Sequence, residues 1–470
     1  MGGPGDITMD PRFSEKIYPR RDTAYKAKKS LDFDIMRAKI YQDRHRGKWT
    51  NLMEWIAYCL VGLFTGFTAA IMTNIEENAT AFRKNFADDI IGGSRDNIIS
   101  GFLFFSGFSA CLVLISSLMT VYWGPGANGS GVAELIGYLN GVNYPNVFGF
   151  ETFVTKTLGV VLAVVGGLCV GKEGPLAHIG ANIGVFVLYL PLPYFEWFRN
   201  DKNKRYLIAA GTSAGVSAAF GAPVGGTLFA YEISKPSTFW KFTVIWKVFV
   251  SCAISVSSLA IFNALLDGET VNTISSSVLK FGTTPITAPT IEVLPGSIIT
   301  GIFAGVFGAG FIIVNTWMAL ARKKIVTTPT LKICEAVLFS VLTTTVFFWS
   351  PYFFNDCVDS TSVGTDYKDL IIQYDCPDDH YSPLGTLFFN TEGAAIRSII
   401  SRFCADGGII VSWSHMLVYF CAWYFFTITT YGVWTPAGLF LPGIIIGCAL
   451  GSVYQLAVEA IFDINPANMD

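Results

Sequence analysis

"GLCVGKEGPLAHIG", residues 167–180, lies inside a stretch from Leu158 to Tyr189 that is otherwise almost wholly apolar and long enough to cross a bilayer. It nevertheless sets Lys172 beside Glu173. A charge at bilayer depth costs about 2.5–3.5 kcal/mol even on lenient insertion scales, so an intramembrane glutamate lines a pathway or a site by default. Which of the two applies depends on what the rest of the chain places around it.

The chain of 470 residues is 52% hydrophobic and 15% aromatic, with 14% charged residues. It carries many apolar windows of about 18 residues or more, which soluble cores do not contain. A polytopic membrane protein is therefore expected. The net charge of −3 gives no sign of a nucleic-acid partner; in such a chain the distribution of Lys and Arg sets the orientation. The segment before Trp49 is strongly basic, with Arg20, Arg21, Lys26, Lys28, Lys29, Arg44, Arg46 and Lys48, and has no apolar core for a signal peptide. The N-terminus is accordingly expected in the cytosol.

Full-length apolar spans fall near 52–75, 99–123, 240–265, 293–320, 330–350 and 410–431. Between them lie pieces cut by glycine and proline, at 130–141, 151–170, 174–190, 206–220, 223–233 and 438–455. Broken helices survive at membrane depth only where protein or a water-filled cavity surrounds the freed backbone. In transporters, paired breaks mark the substrate site and inverted repeats. The glycine-spaced faces "GLFTG" (62–66) and "GIFAGVFGAG" (301–310) read as close helix packing.

Three breaks share one design: "GSGVAE" (129–134), "GKEGP" (171–175) and "GLFLP" (438–442). Gly129 and Gly131, Gly171 with Gly174 and Pro175, and Gly438 with Pro442 each force an abrupt helix start. Unpaired N–H groups at a helix N-terminus carry about half a positive charge. Three such termini converging at mid-membrane, with the Ser130 hydroxyl as a further donor, would attract an anion without a full positive side-chain charge, and would bind it weakly enough to release it.

"GSGVAELIGYLNG", "VGKEGPLAHIG", "GVSAAFGAPVGGTLFAYE" and "GLFLPG" resemble the signature segments of the CLC family of chloride channels and chloride/proton exchangers, from about residue 48 to the end. "SLDFDI" and "GTLFFNTEGAAIRSI" resemble its organellar and plant branch. The resemblance implies an all-α inverted-repeat bundle with broken helices meeting at mid-membrane, in an intracellular organelle membrane, and forming a homodimer in the intact family form. It implies chloride as the transported partner, bound by Ser130 with Gly131 and by the backbone amides of Leu439 and Phe440. Glu173 becomes the gating glutamate, whose carboxylate occupies the outer anion position until protonated or displaced. Lys172 tunes the field rather than binding the ion.

The chain departs from the family pattern in three places. Ala133 replaces the proline of the usual GSGIP motif. Where exchangers carry a second glutamate after the "GTLF" run, Glu232 is followed by Ile233, an apolar residue as in the channels, so the proton-pathway position is lost. Chloride channel activity is therefore the expectation, with a chloride/proton antiporter as the alternative and a non-conducting truncated subunit as the second alternative. Finally, the sequence stops at Asp470, where the family continues into further membrane helices and, in eukaryotes, CBS domains. The expected organisation is a basic cytosolic segment (1–48), a first membrane repeat (49–265), a linker (266–292) and an incomplete second repeat (293–470).

Eight of the ten cysteines sit in or beside apolar spans and read as packing residues. Cys357 and Cys376 instead flank an acidic polar loop poor in Lys and Arg, which reads as luminal or extracellular, where a disulfide persists. "NAT" at 78–80 is a glycosylation acceptor only if it lies outside the bilayer. An enzyme is disfavoured: "GTSAG" (211–215) lacks the preceding strand of a nucleophile elbow. His178 is the one histidine near the candidate site and reads as hydrogen-bonded, and no Cys/His cluster calls for a metal or cofactor.

Overall fold

The computed structural model describes residues 48–462, except the stretches 92–96, 192–200, 235–241, 267–292 and 402–407 and the single positions 143, 145, 355 and 378. The basic N-terminal segment before Lys48, nearly all of the expected linker and the last eight residues lie outside the described residues. What is described is a helical bundle. Its first part comprises α1 (Lys48–Ile91), α2 (Ile98–Leu118), α3 (Val132–Leu139), α4 (Phe150–Val165), α5 (Glu173–Leu188), α6 (Asp201–Phe220), α7 (Pro223–Ser234) and α8 (Phe242–Leu266). The second comprises α9 (Val293–Ile325), α10 (Pro329–Phe353), α11 (Pro383–Phe389), α12 (Glu392–Ser401), α13 (Trp413–Thr430) and α14 (Phe440–Phe462). The strands β1 (Val358–Asp359) and β2 (His380–Tyr381) pair antiparallel across the polar loop, pairing Val358 with Tyr381 and Asp359 with His380. Cys357 and Cys376 close that loop with a disulfide.

Among the described residues, six helices are long and apolar enough to cross a membrane: α1, α2 with its π-turn extension to Trp123, α8, α9, α10 and α14. Five match expected spans. The sixth differs, because α14 was read as a fragment and the segment around α13 as a full span. Pro442 explains the first difference: it is the third residue of α14, where its missing N–H would have no partner inside the helix, so it starts the helix rather than cutting it. The 18-residue α13 carries Ser, His, Trp, Tyr and Thr side chains that lower its apolarity.

Buried glycines hold the first part together. α5 packs against α6, and α1 against α8. A Cβ at Gly180 or Gly184 would run into the carbonyls of Gly211 and Leu207, and one at Gly211 or Gly215 into those of Gly180 and Leu176. The two helix backbones therefore touch, the arrangement that small residues permit in membranes where no hydrophobic drive exists between helices. "GTSAG" is part of this seam, inside α6. Gly62 and Gly66 pack likewise against the carbonyls of Ser251 and Ser255. Close packing along 301–310 is not seen among the described residues: an added Cβ at Gly301, Gly305 or Gly308 of α9 meets none of them within 4 Å, and one at Gly310 meets the Tyr424 hydroxyl at 3.0 Å. The "NAT" triplet lies within α1, where the Asn78 amide donates to the Asn74 carbonyl.

Candidate functional site

Each of the three breaks is built from positive-φ or sterically sealed glycines. Ser130 sits between Gly129 (φ 64°) and Gly131 (φ 77°), backbone conformations that glycine adopts without strain. Gly131 caps α3. The Gly129 N–H donates to the Thr435 carbonyl (3.1 Å), and the Ala437 N–H donates to the Gly129 carbonyl (3.2 Å). The first break is thereby tied to the third. The Ser130 hydroxyl accepts from the Val132 N–H (3.3 Å), and the Tyr431 side chain lies near it.

The second and third breaks meet directly. Gly171 and Gly438 form an isolated antiparallel bridge, each N–H donating to the other's carbonyl at 2.8 Å. Two residues after each glycine a helix begins, α5 at Glu173 and α14 at Phe440, and each has proline as its third residue, Pro175 and Pro442. An added Cβ on Gly174 would lie 3.1 Å from Ser130 Cβ and 3.5 Å from Gly438 Cα. The starts of α3, α5 and α14 thus converge within van der Waals contact.

Glu173 occupies the centre of this convergence. It is 3% exposed, and its Oε2 folds back over Gly171, where it would lie 2.5 Å from a Cβ. A carboxylate at the first position of a helix is favoured by the partial positive charge there. The Lys172 ammonium pairs with Glu76 of α1 and donates to the Thr73 hydroxyl (3.4 Å). Leu439 is partly buried. Phe440 is 40% exposed, and its ring makes edge contacts with Phe220 (6.1 Å) and Phe229 (6.2 Å). The carbonyl of Ile233 in α7 accepts from the Asn140 amide (3.0 Å), and Glu232 before it is exposed.

The sequence reading missed four participants. Lys156 is fully buried in α4, and its amine donates to His178 Nδ1 (2.8 Å) while His178 Nε2 meets the Val147 carbonyl (2.9 Å). A carbonyl can only accept, so Nε2 carries the proton and Nδ1 is the acceptor for Lys156. A Cβ on Gly131 would collide with both side chains. A basic side chain therefore stands one layer behind the α3 terminus, in addition to Lys172 before α5. Glu76, Thr73 and Tyr431 are the others. Lys156 left a signal, being a charge shortly before the apolar run 158–165; Glu76, in the polar stretch 73–78, and Thr73 and Tyr431 left none.

Among known proteins, a family model described as "Voltage gated chloride channel" matches residues 112–470. The "H(+)/Cl(-) exchange transporter 7" of Homo sapiens is 31% identical over 478 residues, covering 97% of this chain and 58% of the relative. The "Chloride channel protein CLC-a" of Arabidopsis thaliana is 29% identical over 464 residues, covering 93% and 58%. The chain thus spans about three fifths of the length of the curated relatives it matches. A crystal structure of a slow cyanobacterial Cl⁻/H⁺ antiporter superposes with a TM-score of 0.62 at 20% identity, over 88% of this chain and 82% of that one. A eukaryotic CLC transporter superposes with a TM-score of 0.60 at 19% identity, over 88% and 63%. Both support the same fold. With the three broken helices meeting around Ser130 and Glu173, and with the family model covering most of its length, this chain belongs to the voltage-gated chloride channel (CLC) family.

Proposed function

We propose that this protein moves chloride across a membrane in exchange for protons, with Glu173 as the carboxylate that alternates with the anion. The observation that carries the reading is the position of Glu173: buried, first in its helix, and packed where two other helix starts deliver backbone donors. An anion held by Ser130 and the amides of Leu439 and Phe440 competes there with the carboxylate for the same positive ends, and a proton on Glu173 removes the competitor. The exchange reading replaces the channel expectation because a relative named as an exchanger aligns over 97% of the chain.

Ile233 favours the second reading, a passive channel, since an isoleucine cannot pass a proton on. Lys172 acts through Glu76, holding the loop before α5 and setting the local field without touching the anion. The family resemblance supports an intracellular organelle membrane and a homodimer, and the basic segment before Trp49 supports a cytosolic N-terminus.

The test is a liposome assay in which a chloride gradient is imposed and internal pH is followed. Uphill proton movement is expected. Chloride flux without protons would return the reading to a channel. Flux that appears only with a co-expressed full-length relative would make the chain a non-conducting subunit.

A further inference from the structure

The last four carbonyls of a helix have no partner inside it, and the end they form carries about half a negative charge. At the C-terminus of α13 each of the four is nevertheless taken up. The Tyr431 N–H donates to the Thr427 carbonyl (3.1 Å) and the Val433 N–H to that of Thr430 (3.2 Å). The other two are met from α9. The Asn315 amide donates to the Ile428 carbonyl (3.0 Å) and to the Tyr431 carbonyl just beyond the helix (3.0 Å). Arg322, two turns further along α9, donates through Nη1 to the Tyr431 carbonyl (2.8 Å) and through Nη2 to the Thr429 carbonyl. Its Nε donates to Glu335 of α10 (2.5 Å), which fixes the plane of the guanidinium; the two side chains are 11% and 13% exposed.

The strap that follows, residues 431–437, runs from this clamp to the anion site and belongs to no helix or strand. Gly432 turns it with a φ of 99°, and a Cβ there would lie 3.0 Å from Arg322 Nη1. The Lys332 ammonium of α10 lies 3.3 Å from the centroid of the Trp434 ring. Along the strap Val433, Thr435 and Ala437 are each 1% exposed, and Pro436 packs on α4, its Cγ 2.9 Å from a Cβ added at Gly159. At its far end the strap holds two of the three breaks. The Thr435 carbonyl and the Ala437 N–H bracket Gly129, and Gly438 bridges to Gly171. A close-packed segment fixed at both ends passes a displacement on instead of absorbing it, so a shift at the α13 end reaches Gly129 and Gly438. Arginine suits the near end of this strap, because its rigid fork serves two carbonyls and a carboxylate at once, which the single ammonium of a lysine cannot do in the same geometry.

We propose that Arg322 and Asn315 are positioning residues for anion transport: clamped on the C-terminus of α13, they fix the strap 431–437 and, through it, the spacing between Ser130 and the amides of Leu439 and Phe440. Neither touches the anion. The guanidinium also offsets the negative end of α13 with a charge that no accessible pH removes. The clamp acts alike whether the anion is exchanged for protons or passes alone, and it rests on the reading above that Ser130 and those two amides bind the anion.

The test uses the full chain in liposomes, with chloride and nitrate efflux measured for the wild type, Arg322→Ala, Arg322→Lys, Asn315→Ala and Lys323→Ala. Lys323 neighbours Arg322 and is exposed, so its loss controls for charge alone. Arg322→Ala should lower chloride efflux about tenfold or more and change the chloride-to-nitrate ratio, because a loosened site discriminates less between a spherical and a planar anion. Arg322→Lys, which keeps the charge without the fork, should fall between Arg322→Ala and the wild type. Asn315→Ala should change the ratio in the same direction as Arg322→Ala, and it decides the matter if Arg322→Ala, by leaving Glu335 unpaired, does not fold. Lys323→Ala should match the wild type. Wild-type efflux and ratio in the folded Arg322 and Asn315 variants overturn the proposal. So does lowered efflux at an unchanged ratio, the mark of a general loss of stability, or an equal shift of the ratio in Lys323→Ala. Wild-type protein that moves no anion defeats the reading of the site separately, and hydrogen exchange then decides the clamp. Faster exchange at 431–438 and 129–131 in Arg322→Ala or Asn315→Ala, with the seam between α5 and α6 unchanged, supports it; unchanged exchange at 129–131 overturns it.

Discussion

Gly438→Ala would place a methyl group 2.7 Å from the Gly171 carbonyl oxygen, 2.9 Å from Pro175 Cδ and 3.2 Å from the Gly174 nitrogen. All three atoms belong to backbone or to a proline ring, so no side chain can swing aside. Relief requires Gly171 and Gly438 to separate, which breaks both 2.8 Å hydrogen bonds of their bridge. At about 1 kcal/mol net for each bond, rising where the buried groups stay unpaired, the loss is about 2–5 kcal/mol. The matched control is Gly443→Ala, five residues along α14, where an added Cβ meets nothing within 4 Å and helix propensity favours alanine by about 1 kcal/mol. Thermal denaturation in detergent and liposome anion flux should separate the two variants: Gly438→Ala with a lowered midpoint and depressed flux, Gly443→Ala at or above wild type. A Gly438→Ala protein as stable and as active as the wild type would refute the claim that the bridge holds the site together.

Glu173→Ala removes the carboxylate competitor, so flux should lose most of its dependence on external pH and chloride; stopped-flow efflux at varied pH checks this, and unchanged gating counts against the assignment. Ser130→Pro removes the hydroxyl that accepts from the Val132 N–H, and selectivity should move from chloride toward nitrate, read as a shift in reversal potential. Exchanging Cys357 and Cys376 for serine opens a crosslink spanning 19 residues and should cost about 3 kcal/mol; thiol labelling of the wild type under non-reducing conditions should find neither cysteine reactive. Asp359 accepts from the Thr361 N–H at 2.8 Å, and that bond, first among its causes, holds its carboxyl below the ordinary carboxylate value. Its contribution is complete above the ordinary value and is lost as pH falls through the lowered one, so Asp359→Asn should abolish the acid-side loosening of the turn at 360–362 measured by hydrogen exchange.

Glycine, proline and charge in apolar surroundings are read well from sequence, because each carries a cost that only a special place in the fold offsets. That is why residues 129–131, 171–175 and 438–442 stand out in the sequence, and why the five ordinary spans lie where hydropathy puts them. Contacts across the bundle are another matter. Nothing local to Tyr431 marks it as a neighbour of Ser130, and nothing in "GIFAGVFGAG" tells its glycines apart from those of α5 and α6, although only the latter let two backbones touch. The short helices α11 and α12 were equally hidden: a serine cap at Ser382 and seven residues of α11 leave too brief a pattern for periodicity to register.

The paired glycines at 171 and 438 lie on a local twofold axis, since each donates to and accepts from the other and each precedes its helix by the same two residues. Position by position, Gly-Lys-Glu-Gly-Pro faces Gly-Leu-Phe-Leu-Pro across that axis, and Glu173 is the counterpart of Phe440. The frame is indifferent to direction; the side chains are not. One arm of the axis carries an acid that can be charged or neutral, the other a ring that is always neutral, and beside this pair Lys172 faces Leu439 and Gly174 faces Leu441, so the two arms share a backbone and differ in charge. Exchanging the two, with phenylalanine at 173 and glutamate at 440, would be a way to ask whether a protein of this symmetry can be made to run backwards.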